Sequence, residues 1–322
     1  MPSRTSIEWC DYSSNALRAE HNGKKGWQCA KVSPGCLNCY SETIDGRFGL
    51  GLGYTTANAR KATHYVDEKE LRHMLAFRPK GPFKGGATRP RVFVGDMTDI
   101  FGDWNSDETL DRLFAAFALR SDVDWQVLTK RAERMHKYLS RHDVGLRWWR
   151  LMPITNRPAI IEVPQHWTAN GLPNVWCGVS AEDQQRADER IPWLLKTPAA
   201  VRFISAEPLL GPIDLRQAHV TKERLPNWPN ATRVGLCIVG GESGHGAREC
   251  DLAWIRSIVD QCKAAGVACF VKQVGSNPRD VSGNRGPNAG PFRVKHSKGG
   301  DPAEWPESLR VREFPSVEVP TP

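Results

Sequence analysis

The chain has 322 residues, with 44 lysines and arginines against 36 aspartates and glutamates, giving a formal net charge of +8. That length fits one α/β barrel domain with insertions, and the positive balance favours an anionic partner such as nucleic acid, which is a statement about association rather than fold. Nine cysteines, an odd number in a long chain, argue against a secreted disulfide framework and for a reducing compartment. Residues 1–9 hold no apolar signal core and no apolar run is long enough to span a bilayer, so a cytoplasmic protein with no membrane partner is expected.

In chain order, short β-rich runs are each followed by a turn and a helical pattern, the cadence of a parallel sheet wrapped by helices. A first strand is expected near Trp27. Arg91–Val94 reads as a strand that leads through Gly95 and Asp96 to a helix starting near Ser106 or Asp107, with Leu110, Leu113, Phe114 and Phe117 at helical spacing. Trp125–Leu128 leads through Thr129, Lys130 and Arg131 to a helix containing Met135 and Tyr138. Residues 140–173, rich in tryptophan and proline, interrupt the cadence as an insertion. There Trp148 and Trp149, between Arg147 and Arg150, read as a tryptophan-packed helix or as a stacking platform for an unpaired base.

Val175–Val179 leads into Ser180 and Glu182 and a charged helix to about Ile191, with Pro192 inside or ending it. Val201–Ile204 precedes Glu207, and Leu236–Val239 precedes Gly240, Gly241 and Glu242. A helix from about Leu252 to Ala265 stops at Gly266, before a strand at Ala268–Val271. About seven strands imply an α/β fold, a partial or complete TIM-like (β/α) barrel of about six to eight parallel strands. The barrel domain is expected over residues 1–275, and the Gly-, Pro- and Asn-rich stretch at 276–322 reads as a peripheral tail.

Cys29, Cys36 and Cys39 lie in one loop with the spacing C-x6-C-x2-C. Thiolates select zinc or iron–sulfur clusters over hard cations, and three of them leave one coordination position without a cysteine. Cys10 or His21 would close a four-ligand zinc site, and unliganded thiols are the plain alternative. Gly35, after Pro34, gives this loop the freedom to turn tightly.

The series Ile7–Trp9, Lys31–Tyr40, Val92–Asp99, Leu128–Arg131, Trp176–Ser180, Arg202–Gly211 and Val239–Gly244 resembles an uncharacterised radical-SAM-like family common in phages and bacterial genomes. The resemblance implies a [4Fe-4S] cluster on Cys29, Cys36 and Cys39, with S-adenosylmethionine (SAM) on the remaining iron. It further implies a 5′-deoxyadenosyl radical acting on an unknown substrate, and an external electron donor such as flavodoxin or ferredoxin. The positive charge makes DNA, RNA or a nucleotide the first choice of substrate.

In a β/α barrel, polar residues just after strands gather at the face that holds the active site. Asp96 is a candidate for the SAM amino group, against ordinary turn chemistry. Thr129 and Lys130, with Arg131, suit a carboxylate or phosphate, against a solvated helix start. Ser180 and Glu182 suit a ribose or amino group, against N-cap and first-turn roles. Glu207 is the catalytic candidate, for proton transfer or substrate anchoring, against an ion pair with a neighbouring arginine. Gly240 and Gly241 would let backbone approach a cofactor, with Glu242 for its ribose or amino group. Two rivals stand beside this reading: a non-enzymatic zinc- or cluster-stabilised nucleic-acid-binding protein, and a barrel hydrolase using Glu207 with Glu182 or Glu242, its metal loop purely structural.

Overall fold

Runs of branched and aromatic residues fit a pleated, buried surface, and each such run from Arg91 onward forms a strand. The computed structural model describes residues 2–153, 167, 170–216, 234–280 and 292–315. Its N-terminal part holds β1 (Ser3–Arg4), β2 (Tyr12–Ser14), β3 (Leu17–His21), β4 (Lys24–Gly26), α1 (Tyr40–Phe48), α2 (Thr56–Lys61), β5 (Thr63–Val66) and α3 (Glu68–Leu75). The alternating part follows with β6 (Arg91–Val94), α4 (Asp107–Leu119), β7 (Asp124–Thr129), α5 (Ala132–Leu139), α6 (Val144–Leu151), β8 (Val175–Ser180), α7 (Gln184–Lys196), β9 (Val201–Ala206), β10 (Val234–Gly240), β11 (Cys250–Asp251), α8 (Leu252–Ala265), β12 (Ala268–Gln273) and β13 (Pro278–Arg279).

The main sheet has eight strands in the order β1-β2-β6-β7-β8-β9-β10-β12, and only the β1–β2 pair is antiparallel. Among the described residues this sheet does not close on itself, because β1 and β12 stand at opposite edges, so a closed TIM barrel is not formed. The first parallel strand is Tyr12–Ser14, against Val92–Val94, rather than a strand near Trp27. There β4 ends in a smaller antiparallel sheet with β3 and β5, and the Trp27 N–H is taken by the Asp45 carboxylate at 2.9 Å.

Local signals hold where they were strongest. Ser106 caps α4 by accepting from Thr109 N at 3.3 Å, and α8 ends at Gly266 with φ +59°. Pro192 sits inside α7 without ending it, the helix running on to Lys196. One face of the sheet buries Val92, Val94, Val127, Cys177, Ile204, Val239 and Val271 under the apolar sides of α4 to α8. The opposite face carries a second cluster built on Trp9, Phe93, Trp176, Phe203 and Phe270. Trp148 belongs to the helix-side core, stacked on Phe114 at 5.1 Å and donating to the Tyr138 hydroxyl at 2.8 Å. Residues beyond the sheet return to its edge: Val271 N–H donates to Val311 O and Glu313 N–H to Cys269 O, each at 2.8 Å, with Trp305 and Leu309 buried. Among the described residues no helix is long and apolar enough to cross a membrane.

Candidate functional site

Parallel strands point their carboxyl ends the same way, so the residues after β6, β7, β8, β9, β10 and β12 share one rim of the sheet. The cysteine loop is bonded across that rim. Ser33 Oγ donates to Glu182 Oε1 at 2.6 Å, Asn38 Nδ2 to Glu242 Oε2 at 3.0 Å, and the Tyr40 hydroxyl to Asp96 O at 2.7 Å. The rim reaches back in turn: Arg248 Nη1 donates to Pro34 O at 2.9 Å, and Arg131 Nη2 to Ala30 O at 3.2 Å. At Gly35 an added Cβ would lie 2.4 Å from Glu182 Oε1, so the loop backbone rests directly on that carboxylate.

Each rim carboxylate has a cation or amide partner. Glu182, fully buried, takes Arg190 Nη1 at 2.8 Å and Lys130 Nζ at 3.4 Å. Burial pushes its pKa up, but Lys130, Arg190 and the Ser33 hydroxyl outweigh that and hold it below the ordinary carboxylate value. Lys130 Nζ also donates to Ser180 Oγ at 3.0 Å, which joins Lys130, Ser180 and Glu182 in one network. Thr129 faces elsewhere, its Oγ1 donating to Asp99 Oδ1 at 2.6 Å beside the Arg131–Asp99 ion pair at 3.0 Å. Glu242 is clasped by Arg248, whose Nη2 lies 2.5 Å from Oε1 and whose Nε lies 2.9 Å from Oε2.

Glu207 pairs with Lys272 Nζ at 2.6 Å, and Gln273 Nε2 approaches the same oxygen at 3.4 Å. Desolvation pulls the Lys272 pKa down, yet Glu207 raises it overall. Asp96 accepts from Asn15 Nδ2 and is shifted upward by burial. Gly240 and Gly241 lie against the end of β12, where a Cβ on Gly241 would meet Val274 O at 2.4 Å; their lack of side chain serves this close packing. Sequence reasoning missed Ser33, Asn38, Arg190 and Arg248. Ser33 and Asn38 were visible only as polar residues inside the cysteine loop, and Arg248 carried no local signal at all.

The donor set suits a thiophilic group, but its placement does not. Among the described residues no group of three or more His, Cys, Asp and Glu side chains is arranged to hold a metal ion. The thiols have separate neighbours: Cys39 Sγ meets Ser41 Oγ at 3.0 Å, and Cys36 Sγ lies 3.8 Å from Ser33 Oγ. Burial, reinforced by Asp99, pushes the Cys29 thiol up to about 12. Cys10 is fully buried, its thiol also raised to about 12, chiefly by burial. His21 bonds through Nδ1 to Lys61 O at 3.3 Å.

Comparison with known proteins corrects the expected kinship. No curated protein and no solved structure matches the chain. No radical SAM family matches either, which, with no group of side chains able to hold a metal among the described residues, overturns the resemblance drawn from the cysteine loop and the strand-end motifs. Residues 4–300 match the family DUF5131, described as proteins of unknown function, and the chain belongs to that family.

Proposed function

We propose that the chain is an enzyme acting on nucleic acid or a nucleotide, with the cysteine loop and the sheet rim beneath it as its centre. One observation carries this reading: the loop bearing three cysteines is bonded to residues that follow three different parallel strands, Asp96, Glu182 and Glu242. Polar groups gathered at the carboxyl ends of parallel strands are where α/β proteins place ligands. The single-sided helix layer supports reading the sheet as a partial TIM-like barrel, with this rim as its mouth. The net charge of +8 supports a polyanionic substrate.

The test is a salt titration of DNA and RNA oligonucleotide binding, followed by mass analysis of the recovered oligonucleotide. Affinity that falls log-linearly with salt, and a mass change lost in Cys36→Ser, are expected. Salt-independent or absent binding would sink the reading.

A second, finer reading is a [4Fe-4S] cluster with S-adenosylmethionine at this loop. It is favoured by the exposure pattern of the cysteines: Cys29, Cys36 and Cys39 are partly exposed, whereas the other six are buried. It requires the loop to rearrange, since among the described residues no three such side chains are arranged to hold a metal ion. Anaerobic reconstitution with iron and sulfide decides it, visible charge-transfer absorbance and 5′-deoxyadenosine from SAM counting for it. Stoichiometric zinc, or no bound metal, counts against it. Glu207 as a hydrolytic base is disfavoured by its ion pair with Lys272.

A further inference from the structure

Exposed large hydrophobic side chains are concentrated on the cysteine loop and the helix that leaves it. Val32, Leu37, Tyr40, Ile44 and Phe48 are 45, 62, 53, 38 and 79 % exposed, and the sole other one among the described residues is Leu151. Tyr40, Ile44 and Phe48 are four residues apart on α1, so they hold to one face and step along it by about 6 Å. That step falls within the roughly 4.5–7 Å over which aromatic rings stack offset or edge-on. A burial-driven core helix would turn such a stripe inward; this one faces water.

The carboxylates of α1 itself are neutralised. Glu42 is neutralised by Lys31 at 2.6 Å, and Asp45 is buried, with the N–H groups of Trp27, Leu50 and Gly51 on its oxygens. Arg47 is exposed and has no ion pair among the described residues. Gly26 packs on Asp45 and Gly49, and the exposed Lys24 and Lys25 precede it, Lys25 paired with Glu20 at 3.8 Å. Apolar stations at even spacing, edged by cations and with their carboxylates neutralised, fit a flexible polyanion with flat apolar units better than an apolar protein face.

We propose that α1 is a track for single-stranded nucleic acid, with unpaired bases on Tyr40, Ile44 and Phe48 and phosphates toward Arg47 and Lys24, leading the strand to the cysteine loop. The proposal rests on the nucleic-acid reading above and names its binding surface.

The experiment measures fluorescence anisotropy of labelled single-stranded DNA and RNA with the full chain and its Phe48→Ala, Ile44→Ala and Arg47→Ala variants, at several salt concentrations. These are exposed side chains, and unchanged thermal unfolding checks that each variant is folded. Phe48→Ala should bind about tenfold more weakly, the loss typical of one stacked base. Ile44→Ala should also weaken binding, and Arg47→Ala should lower the salt slope by about one. Wild-type affinity and slope in all three variants would overturn the track while leaving the nucleic-acid reading intact. No salt-dependent binding by the wild-type chain would overturn both. A change of oligomeric state in Phe48→Ala with oligonucleotide affinity unchanged would assign the face to a protein partner and overturn the track.

Discussion

Replacing Glu182 with glutamine tests whether the rim network holds the cysteine loop. The side chain keeps its shape but loses its charge, so Arg190, 5 % exposed, loses its anionic partner and keeps only neutral acceptors, among them Ser180 O at 2.9 Å. Lys130, with 20 % of its side chain exposed, can turn to water and contributes less. Breaking one side of a buried ion pair costs about 3–5 kcal/mol, and the solvent access of Lys130 sets the expectation at about 3 kcal/mol. For a chain of this size that is a fall in Tm on the order of 5 °C.

Because the folded pKa of Glu182 is below its ordinary value of 4.5, its contribution is present above that pH and is lost as pH falls through the folded pKa. The gap between wild type and Glu182→Gln should therefore be widest near neutrality and close in acid. A cycle with Arg190→Met should show coupling, the double variant losing less than the sum of the two. A stability change under about 0.5 kcal/mol, or strict additivity, would refute the reasoning.

Gly35→Ala should drive a methyl into Glu182 and lift the loop, speeding alkylation of Cys36 and Cys39; an unchanged rate would count against the seated loop. Trp148→Ala should cost about 3–5 kcal/mol in chemical denaturation, since it empties a buried stack on Phe114, and a loss below about 1 kcal/mol would contradict its core role. Native labelling with a maleimide should modify Cys36 and Cys39, while Cys10, Cys177, Cys237, Cys250, Cys262 and Cys269 react only after denaturation. Early reaction of any of these six would contradict the burial described.

What the sequence revealed was mostly local. Ser106, Gly266 and the apolar spacing of Leu110, Leu113 and Phe117 act within a turn or two, and the helices they mark formed where expected. The N-terminus of α7 was nearly legible: Asp183, not Ser180, caps it by accepting from Arg186 N at 2.8 Å, which leaves Glu182 free to turn into the rim. Barrel closure was not legible, because whether two edge strands meet depends on the summed twist and stagger of the whole sheet. Nor was the seat of the cysteine loop, since Ser33 and Glu182 are 149 residues apart and Asn38 and Glu242 are 204 apart. The cysteine spacing suggested convergent ligands, but a spacing fixes how far thiols can reach, not where neighbours such as Ser41 and Ser33 draw them.

The central claim is that the thiol loop on the sheet rim is where nucleic acid is engaged. Its most direct test is the alkylation rate of Cys36 and Cys39 with and without a saturating single-stranded oligonucleotide at low salt. Protection that slows both thiols several-fold and disappears at high salt is the predicted result. Unchanged alkylation while the oligonucleotide is demonstrably bound would place the nucleic acid elsewhere on the molecule and contradict the account.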